Sequence, residues 1–300
     1  MDNDRRMHPA SQLQALYPPD RESLPISRVW GLKTTRRVNF ISTMPIGLPY
    51  EIHPPHKGFE AVLVLHGYTG APGELRFMAE HLGAGGFAVA VPRLPGAGTD
   101  LSDLSTTSRH DWIRRSYDAW LDLRSRYRRV SILGYSMGGL LALKLAMHVR
   151  PEKLILLAPA LEIKQKTWGL MPLLSLFTPI LPEIRTGWQP HPELDPQVLE
   201  LGRRYWVRRD IRSAAQLYKL RGEVRRSLRK VQTPVMAVVS KDDKSVPITV
   251  LKLLEKRLPA GLARTLTVSN CGHDLPQGAD KGAIADAVLD WLRLDSFPAE

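Results

Sequence analysis

The stretch Gly134-Tyr135-Ser136-Met137-Gly138 places a serine between two glycines, directly after a run of β-formers at 129–133 and directly before a helix-like apolar pattern. A nucleophile on so sharp a strand-to-helix turn is held in a strained backbone conformation that lifts its hydroxyl above the sheet. The residues two before and two after it then crowd each other, and only tiny ones fit. Gly134 and Gly138 meet that need, and Gly139 adds room. A serine hydroxyl is a weak nucleophile until a base takes its proton, and the base needs an acid to fix its tautomer. Both are expected later in the chain, each just after a strand. "VVSKDDKSVP" supplies Asp242 and Asp243, and "TVSNCGHDLP" supplies His273, the one histidine of nine that follows a C-terminal strand. Asp243 begins an Asp-x-x-Val-Pro loop and is the expected acid, with Asp242 as a loop residue orienting backbone amides. Attack on a carbonyl also creates an oxyanion that needs two N–H donors. The amide of Met137 is one candidate, and the amide of Tyr68, in the turn His66-Gly67-Tyr68-Thr69-Gly70, is the other. His66 precedes the serine and reads as a structural hydrogen-bonding group, not a base.

These residues must be positioned by an alternation of strands and helices. "AVLVLHG" (61–67) is a near-continuous apolar run, as expected of a strand covered on both faces. A helical stripe of Leu75, Met78, Ala79 and Leu82 follows, then a strand within 87–96. The helix across 108–127 has Ser108 as N-cap with Asp111 at N3, and Ile113, Trp120, Leu123 and Tyr127 as its buried stripe. Further strands are expected at 129–133, 153–159, 234–240 and 263–269, with helices at 137–149, 246–258 and 280–294. The order implies an α/β protein with a mainly parallel central sheet flanked by helices. Residues 160–230 interrupt it: no strand is expected there, only apolar and then basic helical patterns. They read as a helical cap inserted into a core of 26–159 and 231–300, with 1–25 as an N-terminal arm.

Bulk properties fit a soluble globular chain. There are 300 residues, 43% of them hydrophobic and 24% charged, and one cysteine, Cys271, which rules out an internal disulfide. The N-terminus has no apolar core of a secretory signal, and 169–181 is too short and proline-broken to span a bilayer, so the expected location is the cytoplasm. The net charge of +12 is local: 203–230 holds eleven lysines and arginines against two acids. No zinc spacing or nucleic-acid motif accompanies it, so no nucleic-acid partner is expected. A solvated helix face explains the basic run, and an acidic lipid surface or an anionic substrate is the functional alternative.

Taken together, "LHGYTG", "PRLPGAGTD", "DWIRRSYDAWLDL", "ILGYSMGG", "VVSKDD" and "NCGHD" occur in an order that resembles the α/β-hydrolase superfamily over about residues 55–295, within it the bacterial carboxylesterases related to monoacylglycerol lipases. The resemblance implies Ser136 as nucleophile, Asp243 as acid, His273 as base, and Tyr68 and Met137 as the oxyanion amides. It also implies a cap at 160–230 that lines an acyl pocket, with Trp168, Leu170, Met171 and Leu174 as candidate contacts. One departure is Gly96-Ala97-Gly98, where the family commonly has Gly-His-Gly.

The expectation is therefore a carboxylic-ester hydrolase acting on short-to-medium acyl esters, monoacylglycerols among them, through an acyl-enzyme on Ser136 and without metal or organic cofactor. The alternative activity is a thioesterase acting on an anionic carrier such as acyl-CoA. A rival of another class is a catalytically silent protein that keeps the fold and captures a small apolar ligand. Oligomeric state is not readable.

Overall fold

The computed structural model describes residues 43–54, 60–178, 180–187, 189 and 195–294. The arm assigned to 1–25 lies outside them. The strands are β1 (Tyr50–Ile52), β2 (Glu60–Leu65), β3 (Ala88–Val91), β4 (Arg129–Tyr135), β5 (Leu154–Leu157), β6 (Glu183–Arg185), β7 (Arg208–Asp210), β8 (Val235–Ser240) and β9 (Arg264–Val268). The helices are α1 (Arg76–Ala84), α2 (Leu101–Thr106), α3 (Arg109–Arg126), α4 (Met137–Ala146), α5 (Met171–Leu174), α6 (Pro196–Tyr205), α7 (Ile211–Ser227), α8 (Val250–Arg257) and α9 (Lys281–Arg293).

Seven strands form one sheet in the order β1-β3-β2-β4-β5-β8-β9, parallel except for β1, which pairs antiparallel with β3. The sequence reading missed β1, a half-exposed strand of three residues. The inner strands are apolar at nearly every position because side chains alternate between two covered faces. Along β2, Ala61, Leu63 and Leu65 join one cluster with Trp112, Trp120 and Leu123 of α3 and the leucines of α4. Val62 and Val64 join the other, with Met78 and Leu82 of α1 and Ile284, Val288 and Trp291 of α9.

Ser108 and Asp111 form the expected reciprocal cap on α3. The stripe of α3 is centred one residue from the expected position: Trp112 is fully buried and donates from Nε1 to Pro95 O at 3.1 Å, while Ile113 is half-buried.

The insertion contains α5, α6 and α7, and it also contains strands, which corrects the sequence reading. Glu183–Arg185 pairs antiparallel with Arg208–Asp210. Each strand has three residues, mostly charged, so neither leaves a periodic apolar signal. The 17-residue α7 buries Ile211, Ala214, Leu217, Leu220 and Val224 against the body. Much of the basic charge has local partners. Arg204 pairs with Glu200, Arg208 with Glu183 and Arg225 with Glu162, while Arg221 and Arg225 both donate to Leu161 O. Glu223 of α7 accepts from Arg109 of α3 at 2.6 Å, tying the insertion to the core.

Candidate active site

Strand β4 ends at Tyr135 and helix α4 begins at Met137, leaving a single residue to turn the chain. Ser136 does so with φ 52° and ψ −110°, a conformation unfavourable for any L-residue with a Cβ. The glycines around it are sterically required. A Cβ on Gly134 would lie 2.2 Å from Gly138 O, and one on Gly138 would lie 2.0 Å from Leu65 O.

The structure brings together the three side chains expected from the sequence. His273 Nε2 is 3.1 Å from Ser136 Oγ, and His273 Nδ1 is 2.7 Å from Asp243 Oδ2. Asp243 is 1% exposed, and its other oxygen accepts the amides of Ser245 and Val246 at 2.7 and 2.9 Å. The carboxylate is thus fixed by its own loop, and with Nδ1 donating to it, Nε2 is left to accept the serine proton. Asp242 points elsewhere: its Oδ2 accepts the Asn270 amide at 2.8 Å, bracing the loop that carries His273. That loop turns through left-handed backbone at Asn270 (φ 67°) and Gly272 (φ 57°). Tyr135 donates to His273 O at 3.1 Å, and its ring lies 5.4 Å from the imidazole. Nothing local in the sequence marked this role for Tyr135.

The loop after β2 passes beside the serine. A Cβ on Gly67 would be 3.4 Å from Ser136 Cβ, so the chain directly before Tyr68 runs against the serine. Neither the Tyr68 nor the Met137 amide donates to a protein acceptor among the described residues. Met137 also opens α4, so the positive end of the helix dipole faces the same point. His66 is 1% exposed and holds the loop from beneath, donating from Nδ1 to Gly67 O and accepting the Leu94 amide at Nε2. Burial pushes its pKa down to about 4 and keeps it neutral.

The cavity over Ser136 encloses about 160 Å³ and is lined by Tyr68, Glu74, Tyr135, Trp206 and His273 with the 67–70 loop. Two of these, Glu74 and Trp206, escaped the sequence reading, one lying in a short helical turn and the other in the insertion. Of the four expected acyl contacts, none borders this cavity. Trp168 and Met171 are buried, and Trp168 packs edge-on against Tyr68 with centroids 5.9 Å apart. Leu174 is half-buried. Leu170 is 54% exposed and lies outside the lining of the cavity over Ser136, which corrects its assignment to the pocket. In the loop without the family's histidine, Gly96 O accepts from Tyr205 of α6 at 2.8 Å, and the Tyr205 hydroxyl in turn accepts the Thr99 amide.

Residues 62–287 match the sequence profile of the alpha/beta hydrolase family. The thermostable monoacylglycerol lipase of Bacillus sp. (strain H-257) is 30% identical over 237 residues, covering 77% of this chain and 89% of that protein. The carboxylesterase of Bacillus subtilis (strain 168) is 20% identical over 236 residues, 78% of this chain and 93% of that one. Among solved structures, one from a pair of metagenome-derived lipolytic enzymes superposes with a TM-score of 0.72 at 22% identity, covering 84% of this chain and 99% of its own.

Proposed function

The chain belongs to the alpha/beta hydrolase family, and from that premise we propose that it hydrolyses carboxylic esters through an acyl-enzyme on Ser136. The observation that carries this reading is the hydrogen-bonded line Ser136–His273–Asp243, at 3.1 and 2.7 Å. Ser136 Oγ attacks the ester carbonyl while His273 Nε2 takes its proton, and Asp243 stabilises the imidazolium formed. The oxyanion sits on the amides of Tyr68 and Met137. The carbon–oxygen bond to the alcohol then breaks, and Nε2 returns the proton to the departing oxygen. Water, losing a proton to the same nitrogen, attacks the acyl-enzyme and frees the acid and Ser136. Relatives named as a monoacylglycerol lipase and a carboxylesterase support carboxylic esters, monoacylglycerols included, as the substrate class. A p-nitrophenyl ester chain-length series on wild type and Ser136→Ala tests it. Turnover in the wild type that is lost in the variant supports the reading. Equal turnover in both overturns it.

Arg209 favours a second reading, thioester hydrolysis on an anionic carrier. Its guanidinium is half-buried, stacks 4.4 Å over the Trp168 ring, and has no ion pair among the described residues. Matched oxygen and thiol esters of one acyl group separate the two readings.

The outer face of the cap exposes Leu170, Leu173, Leu176, Phe177 and Ile180 beside Lys166 and Arg212. Apolar side chains next to cations support contact with an acidic lipid surface. Among the described residues no helix is long and apolar enough to cross a membrane.

A further inference from the structure

The cavity over Ser136 has a second carboxyl that the mechanism does not use. Glu74 is 8% exposed and lines the same cavity as Ser136, His273 and Tyr135. Its Oε2 accepts the Ala71 amide at 2.5 Å, closing the short helical turn Pro72–Leu75. Its other oxygen has no hydrogen-bond partner among the described residues and is not sealed from solvent. Among the described residues no cation pairs with the group. A carboxyl buried without a cation is costly, and capping a turn needs only one acceptor oxygen, so the cap does not account for the second.

The position of Glu74 indicates which part of a substrate it meets. The leaving alcohol must lie on the side of His273 Nε2, which protonates it. Glu74 shares the cavity with His273 and borders the loop that carries it: Gln277, four residues beyond His273, donates from its side chain to Glu74 O at 3.4 Å. Resting on the ester-hydrolase reading, we infer that Glu74 is a specificity residue whose free oxygen hydrogen-bonds an oxygen function on the alcohol half of the ester, so that leaving groups bearing a second hydroxyl or ether oxygen are preferred to plain alkyl ones.

Protonation governs how it does so. Burial raises the Glu74 carboxyl to about 8, and the negative charge of Asp274 pushes the same way. The other titratable groups around it are His273 from the same loop as Asp274, Tyr135 from β4, and Tyr50 from β1, whose hydroxyl donates to Pro72 O. Below pH 8 the neutral acid both donates and accepts, whereas above it the carboxylate only accepts. A 2-hydroxyethyl ester can bond to either form. A 2-methoxyethyl ester, which offers only an acceptor, bonds to the neutral form alone.

The test measures kcat/KM on the butyrates of 2-hydroxyethanol, 2-methoxyethanol and propanol, from pH 6.5 to 9.5, in wild type, Glu74→Gln and Glu74→Leu. Ratios between substrates cancel every pH dependence that the three share. At pH 6.5 the wild type favours both oxygen-bearing esters over the propyl ester by about five- to tenfold. Its preference for the methoxyethyl ester disappears through pH 8, while that for the hydroxyethyl ester persists. Glu74→Gln keeps an acceptor for the Ala71 amide and an N–H donor at every pH, so its methoxyethyl preference stays flat. Glu74→Leu brings both ratios to about one. If either ratio survives in the leucine variant, or if the glutamine variant keeps the wild-type pH dependence, Glu74 is a structural cap only and the inference is overturned. Should Glu74→Leu fail to fold, the glutamine pH profile decides alone. A wild type inactive on every oxygen ester overturns the ester-hydrolase reading, and this inference with it.

Discussion

In the proposed mechanism Ser136, His273 and Asp243 act as a unit, and the cost of removing one depends on what it leaves behind. Ser136→Ala removes the nucleophile and is expected to lower kcat by about 10⁴-fold or more, measured on a p-nitrophenyl ester. Asp243→Asn keeps the volume but offers Nδ1 no charged acceptor, so the wrong tautomer is populated and kcat falls by about 10³- to 10⁴-fold. His66, by contrast, takes no step in the proposed mechanism and bears on stability. Its pKa is about 4 in the folded protein and near 6.5 in an unfolded chain. Between those values the unfolded chain binds a proton that the folded one does not. The stability that His66 confers is therefore complete above pH 6.5 and is lost as the pH falls toward 4. Urea midpoints of wild type and His66→Gln at pH 7 and pH 4.5 are expected to show a smaller acid-induced drop in the variant. An equal drop in both would contradict neutral burial of this imidazole.

At the scale of elements, the junction of β4 and α4 makes an unusual demand on Gly138. Glycine to alanine inside a helix ordinarily stabilises by about 1 kcal/mol. Here the added Cβ would sit 2.0 Å from the backbone oxygen of Leu65, and the central strand β2 cannot move away. Gly138→Ala is expected instead to destabilise by about 3 kcal/mol or more, seen as a lowered Tm. The same crowding explains why this part of the molecule was legible in the sequence. A strained turn between strand and helix restricts residue types over five consecutive positions, and the restriction is local. The loops carrying Asp243 and His273 were legible for a related reason, since one follows the apolar strand β8 and the other the alternating strand β9. Elements stabilised by remote partners were not. The pairing of Ile184 with Arg209 joins two charged three-residue segments across the cap. Edge strand β1 is equally short. Glu74 and Trp206 reach the cavity because of how their elements are placed, and the exposure of Leu170 depends on the way 166–174 turns over the surface. None of these has a signature in local composition.

For the whole molecule the question is how the insertion is held over the core. Tyr205 of α6 links them through its buried hydroxyl, which donates to Gly96 O and accepts the Thr99 amide, both at 2.8 Å, and lies 3.0 Å from Thr99 Oγ1. Tyr205→Phe leaves an amide and a carbonyl unpaired there, at a cost of about 1–3 kcal/mol. Thermal unfolding is expected to shift down by several degrees, and an unchanged Tm would show that the Tyr205 hydroxyl does not help to hold the insertion. The charge of the molecule is also organised at this scale. The basic excess between Arg203 and Lys230 is partly absorbed by Glu162, Glu183 and Glu200, while the exposed apolar side chains of 170–180 remain uncovered. Co-sedimentation with vesicles is expected to rise with anionic lipid content, to weaken with added salt, and to fall when Phe177 and Ile180 are both changed to serine. Binding that ignores anionic lipid would remove the lipid-surface role and leave the hydrolytic site untouched.

The most direct measurement is covalent. A fluorophosphonate reports a serine activated by a neighbouring base, whatever ester the protein takes by nature. Intact-mass and peptide-mass analysis after labelling should find one adduct, on the peptide containing Ser136, absent in Ser136→Ala and formed far more slowly in His273→Ala. A protein that hydrolyses esters while carrying the adduct on another residue, or taking none, would contradict the account.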